Sequence, residues 1–211
     1  MLLLFFVKGI VVGLVIAVPV GPVGIVCIRR TIFEGKVAGL VSGFGAATAD
    51  AVFGIVAGFG LTMVSDWLLD YREWLQAAGA GFLLFIGGRT FVTKPEVKTE
   101  TETETDPESL SWYYASTLAL TLANPVTLLA FLGIFAAVGL NGPSATLGHA
   151  AILVLGVGVG SLLWWLGLSF GVGLFRDSIE ARHLAWINRG CGAILMLSGA
   201  ALLADLVVGR R

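Results

Sequence analysis

Six apolar runs, each long enough to cross a lipid bilayer, constrain this chain more than any other feature. They cover residues 2–28, 37–64, 75–92, 113–140, 149–175 and 186–208. A hydrocarbon core of ~30 Å is crossed by ~20 mostly apolar residues in a helix. In lipid only helices or closed barrels satisfy every backbone N–H and C=O, and runs this continuous point to helices. The expected fold is an all-α integral membrane protein, one transmembrane domain over residues 1–211. Only 13% of residues are charged, about half the share of a soluble domain. The 29 glycines suit helices whose backbones approach closely in lipid.

Several function classes fit poorly. A net charge of −1 offers no basic field for nucleic acid. Cys27 and Cys191 lie in separate apolar runs, no Cys-x-x-Cys occurs, and the two histidines are isolated. These features argue against zinc, haem or a disulfide framework, and no cofactor is expected. No Gly-rich loop ending in Gly-Lys-Ser/Thr supports an ATP-driven pump. The first 18 residues lack a basic region before the apolar core, and Pro-Val-Gly-Pro follows instead of a cleavage site. They are expected to stay as a first span.

Residues 93–111, with Thr-Glu-Thr-Glu-Thr-Glu-Thr at their centre, form an acidic linker too polar to fold alone. They divide the chain into a first half, 1–92, and a second, 112–211. Lys and Arg set the orientation. Arg29, Arg30, Lys36, Arg89, Lys94, Lys98, Arg176, Arg182 and Arg189 follow the odd-numbered spans; Lys8, Arg72, Arg210 and Arg211 lie on the other side. Nine against four places the linker in the cytoplasm and both termini outside. Trp67, Tyr71 and Trp74, and then Trp112, Tyr113 and Tyr114, have the character of interfacial belts. Three spans per half give the halves opposite orientations, as in an inverted repeat.

Two proline breaks carry the candidate chemistry. Pro19 and Pro22 in the first span have no N–H to donate and leave the Val15 and Val18 carbonyls without their helical partners. Gly21 and Gly24 loosen the same turn. In the fourth span Pro125 releases the Thr121 carbonyl, and Asn124 adds an amide. Free carbonyls at membrane depth must meet protein, water or a ligand. Such paired breaks are a pointer to a transport site, although a packing kink also accounts for them. Pro19, Gly21, Pro22, Thr121, Asn124 and Pro125 are therefore the candidate translocation residues. Tyr113, Thr117, Thr121 and Asn124 share one helical face, which should turn toward a neighbour and not toward lipid.

Asp50 is the acid placed well within a span, where a charge costs ~2.5–3.5 kcal/mol on insertion scales. Gly39, Gly43, Gly54 and Gly58 lie on its face at spacings of four and seven, so Asp50 is expected on a close-packed seam. It is the candidate for proton or ion coupling; a buried structural acid is the alternative. Trp164 and Trp165 are candidates to stack on a cation, with core packing the plainer explanation. Glu180 and His183 lie a turn apart in a charged loop, too sparse for a metal centre.

The order of these motifs resembles the LysE/RhtB amino-acid exporter family. Pro19-Val-Gly-Pro22, Arg29-Arg-Thr, Glu34-Gly35, Gly39, Gly43-Phe-Gly45 and Asp50 carry it in the first half, with the segment from Gly79 to Arg89; Asn124-Pro125 carries it in the second. The chain departs from the pattern at the inserted Val20, at Phe82 and at Val126. The resemblance implies six helices, three-plus-three symmetry, and gradient-driven export of an amino acid or similar small solute across the bacterial inner membrane. Two other functions fit the residues themselves less well. A metal exporter would want soft or histidine ligands that the spans lack. A thiol-electron carrier would want matched cysteines in spans one and four, and Cys191 is in the sixth. The Gly-x-x-x-Gly spacings fit packing within one chain or between protomers.

Overall fold

The computed structural model describes residues 2–18, 21–59, 70–93, 107–138, 146–176 and 181–208. Among them every element is a helix: α1 (Leu2–Ala17), α2 (Pro22–Glu34), α3 (Lys36–Gly58), α4 (Arg72–Val92), α5 (Pro107–Leu122), α6 (Pro125–Val138), α7 (Leu147–Arg176) and α8 (Ala181–Val208). Four stretches, Lys36–Gly58, Glu73–Val92, Leu147–Arg176 and His183–Val208, are long and apolar enough to cross a membrane alone. α1 with α2, bent by 82°, and α5 with α6, bent by 63°, raise the number to as many as six if each pair forms one span.

The first apolar run was expected to end at Ile28, but helix continues to Glu34. Gly35 stops it. Its φ of 103° and ψ of 169° lie where a Cβ is disfavoured, and the chain turns there straight into α3. The fourth run holds two helices. Trp67, Lys94, Lys98, Glu180, Arg210, Arg211 and most of the acidic linker lie outside the described residues.

Lipid supplies no hydrophobic drive between helices, so packing contacts and hydrogen bonds must hold the bundle. Glycines set the distances. Along α3, Gly39 faces Thr31 and Ser169, Gly43 faces Trp165, Gly54 faces Val154 and Val157, and Gly58 faces Val154 and Phe135. The seam read from the spacing is thus the α3–α7 contact, continued at its upper end by α6. Gly9 and Gly13 of α1 meet Gly156 and Gly160 of α7 so closely that a methyl group on any of the four would strike a backbone carbonyl. Gly87 and Gly192 do the same between α4 and α8. These spacings are used within the chain. Phe53, Phe131, Phe135, Leu153 and Val157 fill the space between α3, α6 and α7.

Arg29, Arg30, Lys36, Arg89 and Arg176 collect at one end of the bundle. Arg29 Nε donates to Asn188 Oδ1 at 2.9 Å, and Asn188 in turn donates to the carbonyls of Thr90 and Thr93. Arg176 Nε donates to the Ile32 carbonyl at 2.9 Å. Lys36 lies over Gly173. The C-terminal ends of α2, α4 and α7 and the beginnings of α3 and α8 therefore meet at this face.

Candidate functional site

Both helix breaks fall at the proline motifs. In the first, the Val18 N–H still donates to the Leu14 carbonyl at 2.9 Å. Gly21 then caps α2 in extended geometry, and Pro22 is its first residue, a position where the absent N–H costs no helical bond. Pro19 lies outside the described residues. In the second, Pro125 opens α6 and the Thr127 N–H donates to the Asn124 carbonyl at 3.2 Å. One expectation is corrected. The Thr121 carbonyl is not left bare, because the Asn124 N–H donates to it at 3.1 Å. The chain tightens into a short turn as α5 ends, and this turn supplies the lost donor.

Two cavities lie along the same four helices. One, of about 350 Å³, is lined by Pro22 and Val23 of α2, Gly79 and Leu83 of α4, Leu120, Ala123 and Asn124, and Ser198, Leu202 and Asp205 of α8. The structure thus brings Pro22 and Asn124, one residue from each break, into one chamber. The other cavity, of about 470 Å³, opens at the basic end between the far portions of α2, α4, α5 and α8; Arg29, Arg30, Arg89, Glu34, Trp112 and Tyr113 are among its walls. Between the two chambers sits an apolar cluster: Ile25, Val26, Leu83, Leu120 and Leu195. Val26 and Leu195 also face the larger chamber, and Leu83 and Leu120 the smaller. The arrangement is two polar-edged chambers along the same helices, with branched side chains packed between them.

The polar face of α5 has a partner. Arg30 is 5% exposed and donates through Nη1 to Ser42 Oγ, the Tyr113 carbonyl and Thr117 Oγ1 at 2.8–2.9 Å, and through Nη2 to Ser116 Oγ at 2.7 Å. Its guanidinium stacks 4.9 Å from the centre of the Tyr113 ring. The sequence put Tyr113 both in an interfacial belt with its neighbours and on the polar face turned toward a neighbouring helix, and the second reading holds. It is buried, with its hydroxyl donating to Glu34 at 3.2 Å, while Trp112 stays half exposed. Thr121 is buried with its hydroxyl on the Thr117 carbonyl at 2.9 Å, so it serves α5 and does not face either chamber.

Asp50 occupies the seam as read, buried, with Ser161 Oγ donating to its Oδ2 at 2.6 Å. The buried Trp165 indole N–H, one turn further along α7, has no hydrogen-bond partner among the described residues. Ser161 abuts Gly13 of α1 and Trp165 packs with Ala17, Cys27, Ala46 and Ala47, so Asp50 lies beside the end of α1, near the first break. Asp50 does not line the chamber that Pro22 and Asn124 share. Its contacts run to α7, on the opposite side of α3 from α5. Cys27 and Cys191 are free and pack in different clusters. His183 is exposed.

Two polar features escaped the sequence reading. Gln76 Nε2 donates to Asp205 Oδ2 and to the Leu202 carbonyl, each at 3.1 Å, which puts an acid on the wall of the break chamber. Asp205 stands close to the end of the sixth run and reads as an interfacial residue. Arg30 likewise reads as a topogenic charge. The signal that pointed to it was the polar α5 face, which needed a donor.

Similarity to known proteins covers nearly the whole chain. The LysE type translocator family model matches residues 14–206. The chain is 27% identical over 197 residues to a protein of Bacillus subtilis (strain 168) named putative amino acid efflux protein YcgF, with 92% of each chain covered. It is 26% identical over 191 residues to the uncharacterized membrane protein YahN of Escherichia coli (strain K12), covering 88% of this chain and 82% of that one. No solved structure matches it.

Proposed function

This chain belongs to the LysE type translocator family, and from that premise we propose that it exports amino acids or closely related metabolites from a bacterial cell, driven by an ion gradient. It is a multi-pass membrane transporter; the cargo, the direction and the coupling are the proposal. The observation that carries it is the pair of chambers in line along α2, α4, α5 and α8, parted by the Ile25–Val26–Leu83–Leu120–Leu195 plug. A continuous pore would conduct. Two chambers with a closed apolar partition suit a carrier that exposes its solute to one side at a time. The efflux role in the name of the Bacillus subtilis relative supports both direction and cargo class.

The halves are proposed to form a three-plus-three inverted repeat. Exchanging α1, α2, α3, α4 with α5, α6, α7, α8 turns α1–α7 packing into α5–α3, α2–α7 into α6–α3, and α2–α8 into α6–α4; α3–α7 and α4–α8 map onto themselves. The basic end is the cytoplasmic one in this proposal, and the membrane is the inner membrane. Solute would rest between the breaks against Gly21, Pro22, Asn124 and Pro125, with Asp50 as the coupling acid beside the first break. A survey of amino acids in the medium of cells with and without the protein tests the cargo. Selective accumulation of one or a few in the medium is expected; identical media under amino-acid loading would overturn the reading.

A further inference from the structure

Three guanidiniums gather in the chamber at the basic end. Among the described residues, Arg29, Arg30 and Arg89 line it with one carboxylate, Glu34. Each arginine is held differently. Arg30 is fixed by neutral oxygens of α3 and α5. Arg29 spends its Nε–H on Asn188, one of five N–H donors. The Arg89 side chain is exposed and has no hydrogen-bond or ion-pair partner among the described residues, and it lines the same chamber as Arg29. Glu34 is engaged by the Tyr113 hydroxyl.

Two guanidiniums that line one chamber gain most from an oxyanion placed between them. A planar guanidinium meets a carboxylate with two parallel hydrogen bonds. Phe85, Ile86, Leu195 and Trp112 supply apolar wall beside these charges, which favours a carboxylate with an organic body over a small inorganic anion. The floor of the chamber is the plug, so a solute bound here sits at the step before the break chamber.

We infer that the Arg29–Arg30–Arg89 chamber is a carboxylate-binding site that receives the solute by its acid group at the basic mouth, an assignment that rests on the export reading above. Arg29 and Arg89 contact the carboxylate, and Arg30 positions the wall through α5.

The test uses the purified full-length protein in dodecyl maltoside, with melting midpoints recorded against each common amino acid, its carboxamide and inorganic phosphate at constant ionic strength. At least one amino acid should raise the midpoint while its carboxamide does not. Arg89→Gln should weaken the apparent affinity roughly ten- to hundred-fold without changing the ligand-free midpoint, and Arg89→Lys should fall between. Arg29→Gln repeats the measurement on the opposite wall. Equal stabilisation by acid and amide, or an unchanged affinity in Arg89→Gln, overturns the site and leaves the transporter reading standing. Arg89-dependent stabilisation by phosphate alone keeps an oxyanion site but overturns the amino-acid cargo. In nanodiscs, stabilisation by phosphatidylglycerol over phosphatidylcholine that disappears in Arg89→Gln, with no amino-acid effect, assigns the chamber to a lipid headgroup and overturns the solute site.

Discussion

Asp50→Asn is the sharpest perturbation of the coupling proposal. Asparagine keeps the size of the side chain, and its Oδ1 can still accept from Ser161, which now donates at 2.6 Å. One hydrogen bond to a charged acceptor is exchanged for one to a neutral acceptor. That difference is about 1 kcal/mol, small against the glycine contacts that hold α3 to α7. The variant should therefore insert and fold. What it loses is titration. One charge moved through ~100 mV supplies ~2.3 kcal/mol, and a tenfold proton gradient adds ~1.4 kcal/mol. A carrier that couples one proton to each solute can thus sustain a concentration ratio of roughly 400-fold. Without coupling the ratio is about one. The assay is uptake or release of labelled solute by proteoliposomes under an imposed pH gradient and membrane potential, with exchange at equilibrium as the control. Wild type should respond to the gradient. Asp50→Asn should exchange solute but show no gradient-driven accumulation, and Asp50→Glu, crowded by one methylene on a tight seam, should keep partial activity with an altered pH optimum. If Asp50→Asn accumulates solute like wild type with the same dependence on the proton gradient, Asp50 is a structural acid and the coupling site lies elsewhere.

Three further outcomes are expected. The nine-to-four division of Lys and Arg predicts that a C-terminal alkaline phosphatase fusion is active and a C-terminal fluorescent fusion dark; the reverse pattern would exchange the two mouths. Replacing residues 99–108 with a Gly/Ser linker of equal length should leave transport nearly intact, whereas loss of transport at normal membrane abundance would make the acidic linker functional. Gly156→Ala presses a methyl group onto the Phe6 carbonyl and should destabilise the fold by about 1–3 kcal/mol, read as a lower melting midpoint in detergent. Gly167→Ala, where nothing lies within 4 Å, is the control and should not lower it.

What the sequence revealed follows from how local each cause is. Proline lacks an N–H wherever it stands, so breaks at Pro22 and Pro125 are visible from one residue. Glycines at spacings of four and seven mark a seam before its partner is known, and α7 proves to be that partner. Asp50 is found by the same spacing. Arg30 is harder, because an arginine near the end of a span is already explained by membrane topology. Only the fold shows that Gly35 lets α2 run on to Glu34, carrying Arg30 past the expected end of the span and into the polar face of α5. Tyr113 admitted two readings for a related reason, since its amphipathic ring satisfies an interface as well as it satisfies a buried guanidinium. The chambers are not legible at all. Each depends on the spacing of four helices from both halves, which no local pattern encodes.

The packing also sets which helices can part at the plug. α1 and α7, and α3 and α7, touch through backbone at Gly9, Gly13, Gly156, Gly160 and the α3 glycines, and interlocked backbones of this kind do not slide without separating. α5 is tied to α3 by Gly45 against the Tyr114 carbonyl and to α2 by Arg30. α4 and α8 are knitted to one another through Gly87, Gly192 and Gly199. To the rest they are held mainly by the plug and by the Arg29–Asn188 bond. Separating Leu83 and Leu195 from Ile25, Val26 and Leu120 exposes apolar surface to water, and breaking the Arg29–Asn188 bond costs about 1.5–3 kcal/mol at most. Moving α1, α3 or α7 instead would break the glycine contacts along most of a span. Parting the α4–α8 pair from α2 and α5 therefore breaks fewer close contacts than parting α1, α3 or α7 from their neighbours. The Gln76–Asp205 bond lies within the α4–α8 pair, so such a separation leaves the acid on the wall of the break chamber with its partner.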